Sequence, residues 1–97
     1  MKELYQKEHI VQTEYNTYEL CYGIHQIREE DMDLYGISIS QYESTNQRKK
    51  LFDEAMIKAF SDNLQDTRAF FDLLVNETVF PVHLLSVADD WHGQIEY

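Results

Sequence analysis

Three side chains near the C-terminus have the types and spacing that hydrolytic chemistry uses. His83, Ser86 and Asp90 lie at i, i+3 and i+7 of a predicted helix and therefore share one face. Side chains that leave one helix in parallel do not hold a base against a nucleophile beside an oxyanion hole, so a surface or packing role is favoured. A small hydrolase that uses Cys21 or His83 is therefore the least favoured of three functional hypotheses.

The end of the same helix offers oxygen and nitrogen ligands for a metal ion, namely Asp89, Asp90, His92 and Glu96. No pair of histidines at helical spacing and no pair of cysteines accompanies them, and a helix end followed by a short tail is a poor cage for an ion. The three glycines are too far apart for a phosphate-binding loop. We therefore expect no metal and no cofactor.

Cys21 is the only cysteine, so an intramolecular disulfide and a secreted, disulfide-stapled fold are excluded. It stands between Leu20 and Tyr22 in a strand-like run, where a cysteine usually acts as a small buried hydrophobe rather than as a nucleophile.

The charge balance narrows the classes of partner. Eighteen acidic residues against eight basic ones give a net charge of -10, which argues against direct binding to nucleic acid. The one basic cluster, Arg48-Lys49-Lys50, stands near Asp53 and Glu54 and is typical of a solvated surface. No apolar window is long enough to cross a membrane, and no signal sequence opens the chain. We expect a soluble cytoplasmic protein with a protein partner.

A β-hairpin is the clearest local signal. Residues 18–27 and 32–42 alternate apolar and polar positions on either side of the polar loop Arg28-Glu29-Glu30-Asp31. A loop centred between Glu29 and Glu30 pairs Gly23 with Gly36 and sorts one face as wholly apolar. That face consists of Leu20, Tyr22, Ile24, Tyr35, Ile37 and Ile39. The other face is mixed, half-exposed and the candidate binding surface, and the facing glycines leave a gap in it.

The rest of the chain predicts helices behind this hairpin. Residues 1–16 are interpreted as a loose arm or a sheet edge. The apolar residues of 51–60 have helical spacing, although a strand over 55–60 is also consistent with them. Asp66 suits the N-cap of a helix over 66–76. Pro81 suits the start of a second helix over 81–92 that turns Leu84, Val87, Ala88 and Trp91 toward the sheet, with Gly93 as its C-terminal cap and residues 94–97 frayed. The prediction is one α+β domain over residues 1–97.

Two motifs carry a family resemblance. Tyr35-Gly36-Ile37, and the ending in which Pro81, His83, Leu84 and Val87 precede the acidic pair Asp89-Asp90, resemble a family of small uncharacterised proteins of Clostridia and their relatives. The resemblance implies a third strand at 55–60 in place of a helix. It implies no activity.

The leading hypothesis is a non-enzymatic interaction or regulatory module, because the composition is acidic and rich in tyrosine, which is favoured at protein interfaces. The spare tyrosines are Tyr5, Tyr15, Tyr42 and Tyr97. The alternative is an acidic mimic of nucleic acid that inhibits a DNA- or RNA-binding enzyme, with carboxylates along one ridge. The candidate interaction residues are Glu29, Glu30, Asp31, Asp33, Tyr42, His83 and Asp90.

Overall fold

Four antiparallel strands followed by two helices make up the fold. A computed structural model describes residues 1–45 and 48–95, with strands β1 (Lys2–Gln12), β2 (Thr17–Glu29), β3 (Met32–Thr45) and β4 (Arg48–Ser61). The strands lie side by side in chain order. Helix α1 (Leu64–Asn76), a 3-10 turn (Pro81–His83) and helix α2 (Leu84–Ile95) complete the chain. The predicted α+β class, with an antiparallel sheet and two C-terminal helices, is confirmed.

The β2–β3 hairpin has the predicted faces and a different register. Its turn contains two residues, Glu30 and Asp31, both with positive φ (50° and 63°), as in the tight turns that match the twist of paired strands. Gly23 therefore lies opposite Ser38 rather than opposite Gly36, and the predicted pairing is wrong by two residues. A shift of two keeps every side chain on its own face, so the apolar layer is as predicted.

The core lies between this layer and the helices. Five residues of the layer have no exposed surface, and Phe60 of β4 stacks on Phe70 of α1 with ring centres 4.5 Å apart. Tyr22 donates a hydrogen bond of 3.0 Å to the Val79 carbonyl in the segment after α1. The fully buried layer residues are Leu20, Tyr22, Ile24, Ile37 and Ile39; Leu84 and Ala88 of α2 are buried, and Val87 and Trp91 are half-buried.

Residues 51–60 belong to a strand, as the family resemblance implies, and the helix favoured by their spacing is wrong. The pairing of β4 with β3 is irregular at two places, opposite Tyr35/Ile37 and opposite Gln41/Tyr42. Extra residues in a strand shift which side chains face the core, and this breaks the simple alternation that marks a strand in a sequence.

The N-terminal residues form a sheet edge rather than a loose arm. Lys2–Gln12 pair along β2 with one irregularity between Glu3 and Tyr5. Most of their side chains are exposed, which explains the weak pattern in the sequence. Pairing with the buried strand β2 holds this polar segment in the sheet.

The helix ends differ in detail from the prediction. Asn63, and not Asp66, is the N-cap of α1, because its side-chain oxygen accepts a hydrogen bond of 3.0 Å from the Asp66 backbone amide. Gly93 lies inside α2 and does not cap it. The predicted fraying of residues 94–97 falls partly outside the described residues. Neither helix of the described chain has the length and hydropathy to cross a membrane.

Candidate functional site

Both helices pack on the same face of the sheet, and the opposite face is left uncovered in the described chain. The side chains of this open face alternate with the core residues along the two central strands, because successive residues of a strand point to opposite sides. They are Cys21, Gly23 and His25 on β2 and Gly36, Ser38, Ser40 and Tyr42 on β3. Its centre therefore consists of small side chains.

Longer side chains on the outer strands border this centre. Gln6 and Glu8 of β1 lie opposite Gly23 and Cys21, and on the other side Met56 and Glu54 of β4 lie opposite Ser38 and Ser40. Three adjoining depressions share Ser38 in their lining. We call this feature the trough: its floor is Cys21, Gly23, Ser38 and Ser40, and its walls are Glu3, Gln6 and Glu8 on β1 and Glu54 and Met56 on β4.

A charged cluster lies at one end of the trough. The Lys49 amine donates a hydrogen bond of 2.9 Å to the Glu19 carboxylate and lies 4.6 Å from the centre of the Tyr42 ring. The hydrogen bond to Glu19 raises the pKa of Lys49. This amine is therefore already engaged, and it holds Tyr42 and Glu19 in place across β2, β3 and β4.

Cys21 lies beside this cluster and is poorly suited to nucleophilic chemistry. Burial raises the pKa of its thiol, and the neighbouring charges of Glu19 and Glu8 raise it further. The ligand atoms of these three residues lie within 4.8 Å of one another. The Lys49 amine already occupies an oxygen of Glu19, so the three residues form part of one polar cluster with Lys49.

His25 is the buried titratable group of the open face. It is 5% exposed, and its Nε2 atom has no hydrogen-bond partner among the described residues. Burial lowers the pKa of His25, while Glu3 on the adjacent strand opposes this shift and the N-terminal amine adds to it. Burial therefore favours the neutral form of the imidazole, which lies against Gly36.

The predicted interaction residues fall into three separate places. Glu29, Glu30 and Asp31 are exposed at the tip of the β2–β3 hairpin, and Asp33 beside them pairs with Arg28 at 3.4 Å. Tyr42 lies on the open face, many residues along β3 from the tip. The structure does not bring the acidic tip and Tyr42 into one site.

The third place is the start and outer side of α2. His83 lies in the 3-10 turn before α2 rather than on the same helix as Ser86 and Asp90. All three side chains are exposed, and none of them has a side-chain hydrogen bond within the described chain. Asp89, Asp90 and His92 do not form a three-ligand group among the described residues, and Glu96 lies outside them. The His92 ring instead packs against Phe60, with the two ring centres 4.7 Å apart.

The spare tyrosines have different environments. Tyr5 lies 4.2 Å under the Arg68 guanidinium of α1, and Tyr15 is 85% exposed in the β1–β2 turn. Tyr42 is half-buried under Lys49. Tyr97 lies outside the described residues.

The alternation in the sequence placed the floor residues on the half-exposed face of the hairpin, but it did not name them as a site and it did not reveal the walls. Alternation along the hairpin places Gly23 and Ser38 on the half-exposed face, but the partners of β1 and β4 depend on strands that the pattern does not reveal. Glu8, Glu54 and Met56 were therefore not among the predicted site residues. The acidic residues of segments 1–16 and 51–60 would have indicated acidic walls if both segments had been predicted as strands.

The comparisons with known proteins give a family and no activity. The model of DUF6514, described as a family of unknown function, matches residues 1–94. No curated protein and no solved structure matches the chain.

Proposed function

Because the chain belongs to DUF6514, a family of unknown function, we propose its function from its own surface: it is a non-enzymatic protein-binding module, and the trough is its binding surface. The observation that carries the proposal is the one-sided packing of the helices. Antiparallel sheets commonly leave one face to solvent, but such a face usually carries long polar side chains. Here the middle of the face carries Gly23, Ser38 and Ser40, and the long side chains stand at its borders.

The charges of the trough favour a basic partner. Its walls carry Glu3, Glu8 and Glu54, whereas Lys49, a cation at one end of the same surface, is bonded to Glu19. The net charge of -10 extends this field over the molecule and favours encounter with a positively charged protein surface. The setting we propose is the bacterial cytoplasm, which agrees with the sequence resemblance and with the single thiol.

Affinity capture with matched variants tests the proposal. The wild-type chain, Ser40→Arg in the floor and Ser86→Arg on the exposed side of α2 are immobilised and exposed to a lysate of the source cell at low and moderate salt. We expect a partner that binds the wild type and Ser86→Arg and is lost with Ser40→Arg. The two variants add the same charge, so only its position differs.

Two results would contradict the proposal. Capture of no specific partner removes the binding function, and equal loss with both arginine variants removes the trough as its surface. A third variant, Glu30→Lys at the hairpin tip, tests the alternative of a nucleic-acid mimic. Loss of a DNA- or RNA-binding enzyme with Glu30→Lys but not with Ser40→Arg favours the mimic instead.

A further inference from the structure

We infer that the occupant of the trough is a basic amphipathic α-helix of the partner; this inference rests on the proposed function and names the form and chemistry of what binds. Backbone hydrogen bonding in the sheet favours a helix over an extended segment. The floor belongs to β2 and β3, which both have neighbouring strands on their two sides. Their backbone groups are already paired, so an extended peptide laid over them finds no strand edge to join. A helix satisfies its own backbone and needs only side-chain contacts.

The width of the trough agrees with a helix. Adjacent strands lie about 4.8 Å apart, so β1 and β4 are separated by about 14 Å across the two central strands. A helix with its side chains is about 10–12 Å wide. The walls can therefore stand on either side of one helix, and they are too close together for two.

The floor allows the helix to come close to the sheet. Gly23 has no side chain, and a Cβ at this position would lie 3.0 Å from Ser38 Oγ and would raise the floor. A helix on this face would form a third layer, opposite α1 and α2, and would cover the side of the sheet that they leave open.

The side chains of the walls indicate which residue types the partner helix should carry. Met56 is 52% exposed opposite Ser38, and a methionine side chain adapts to the shape of an apolar partner. Glu8 and Glu54 stand on opposite walls. The matching helix therefore carries an apolar stripe of leucine-like residues, with lysine or arginine on both sides of the stripe.

The inference is tested with a defined peptide rather than with an unknown partner. The probe is an 18-residue peptide of Lys, Leu and Ala that places its leucines on one helical face. Two comparison peptides have the same length: one has the same composition with its leucines scattered around the helix, and the other keeps the leucine positions but has two central alanines replaced by proline. Binding to the full-length chain is followed by NMR shifts of the backbone amides, and the helical content of the peptide by circular dichroism.

We expect the amphipathic peptide to shift the amides of Gly23, Ser38 and Ser40 and to gain helical content on binding. Both comparison peptides should bind about tenfold more weakly or worse. Ser40→Arg should abolish the shifts, and Ser86→Arg should retain them. If Ser40→Arg fails to fold, Glu54→Lys on the exposed wall replaces it, with the same expectation.

The other outcomes overturn the inference in distinguishable ways. Equal binding of the proline peptide in the trough, without a gain in helix, rejects a helical occupant and leaves the trough as a binding surface. Shifts confined to the hairpin tip reject the trough for this ligand. The absence of binding by all three peptides rejects the basic helix, whereas the proposed function then stands or falls on the lysate capture with Ser40→Arg.

Discussion

Gly36 lies directly against the His25 imidazole across the β2–β3 pair. A Cβ at position 36 would clash with the imidazole ring and would lie 2.6 Å from the Ile57 carbonyl oxygen. The backbone of β4 therefore closes over Gly36 from one side while His25 closes over it from the other. This contact explains why the glycine of Tyr35-Gly36-Ile37 is buried in the middle of a strand, where glycine is otherwise unfavourable.

Replacement of Gly36 by alanine should destabilise the fold by about 1–3 kcal/mol, because the added methyl group has to displace backbone atoms of β4. The matched control is Gly93→Ala, since a Cβ there has no neighbour within 4 Å and the residue lies inside α2. This control should be neutral or stabilising by up to about 1 kcal/mol. Urea unfolding measures both, and an unchanged midpoint for Gly36→Ala would show that the strands separate easily.

The stability of the protein should fall as the pH drops below the ordinary histidine pKa of 6.5. Burial lowers the pKa of His25 in the folded state, so the unfolded chain takes up the proton first. The contribution of the neutral imidazole is complete above that pH and is lost as the pH falls toward the folded pKa. His25→Gln should flatten this part of the curve of unfolding free energy against pH, and identical slopes for the two proteins would contradict the assignment.

An aspartate should be far more damaging at position 37 than at position 38. Ile37 has no exposed surface in the apolar layer, so Ile37→Asp either buries a charge or takes up a proton and should cost about 3–5 kcal/mol. Ser38 is on the open face, and Ser38→Asp should change the stability by less than about 1 kcal/mol. Thermal unfolding compares the two, and the reverse order would exchange the two faces of the sheet.

The hydroxyl group of Tyr22 should contribute about 1–2 kcal/mol, because its loss in Tyr22→Phe leaves the Val79 carbonyl without this buried partner. Tyr15→Phe is the control, since Tyr15 is almost fully exposed. Burial also raises the pKa of Tyr22 to about 12. Chemical denaturation gives the stability difference, and equal effects of the two changes would mean that the hydrogen bond contributes nothing.

The Cys21 thiol should react with iodoacetamide more slowly than a free cysteine, because burial and then Glu19 raise its pKa and reduce the thiolate fraction. Glu19→Gln should increase the rate: it removes one of the causes and frees Lys49, whose charge lowers this pKa. The alkylation rate is followed at pH 8 by mass spectrometry. Faster reaction of the wild type than of free cysteine would revive the hypothesis of a catalytic cysteine.

Much of the fold was predictable because alternation identifies faces well. Leu20, Tyr22 and Ile24 alternate with polar residues along β2, and any register that differs by an even number keeps them in the core. The register itself depends on the turn, and Glu30, unlike glycine, asparagine or aspartate, rarely adopts a positive φ. The two-residue turn was therefore not visible in the sequence.

The strand Arg48–Ser61 shows why the spacing of apolar residues does not identify every strand. Leu51 and Phe52 are adjacent apolar residues, and with Ala55 and Met56 they imitate the spacing of a helix. The irregular pairing of β4 produces this imitation, and irregular pairing is decided by the neighbouring strand rather than by local propensity. The wall on β4 was missed for the same reason, since the sequence left residues 51–60 open between a helix and a strand and so did not place Glu54 and Met56 on a face of the sheet.

The two outer strands have a consequence for how the protein behaves in a crowded solution. In the described chain, β1 and β4 each have a neighbouring strand on one side only, and such edges act as templates for intermolecular assembly into fibrils. Charged residues along β1, among them Lys2, Glu3, Lys7 and Glu8, oppose this growth, as does mutual repulsion between molecules. Near the isoelectric point of about 4.6 that repulsion disappears. The acidity of this chain thus also protects it against polymerisation, and this protection would be lost where the pH approaches the isoelectric point.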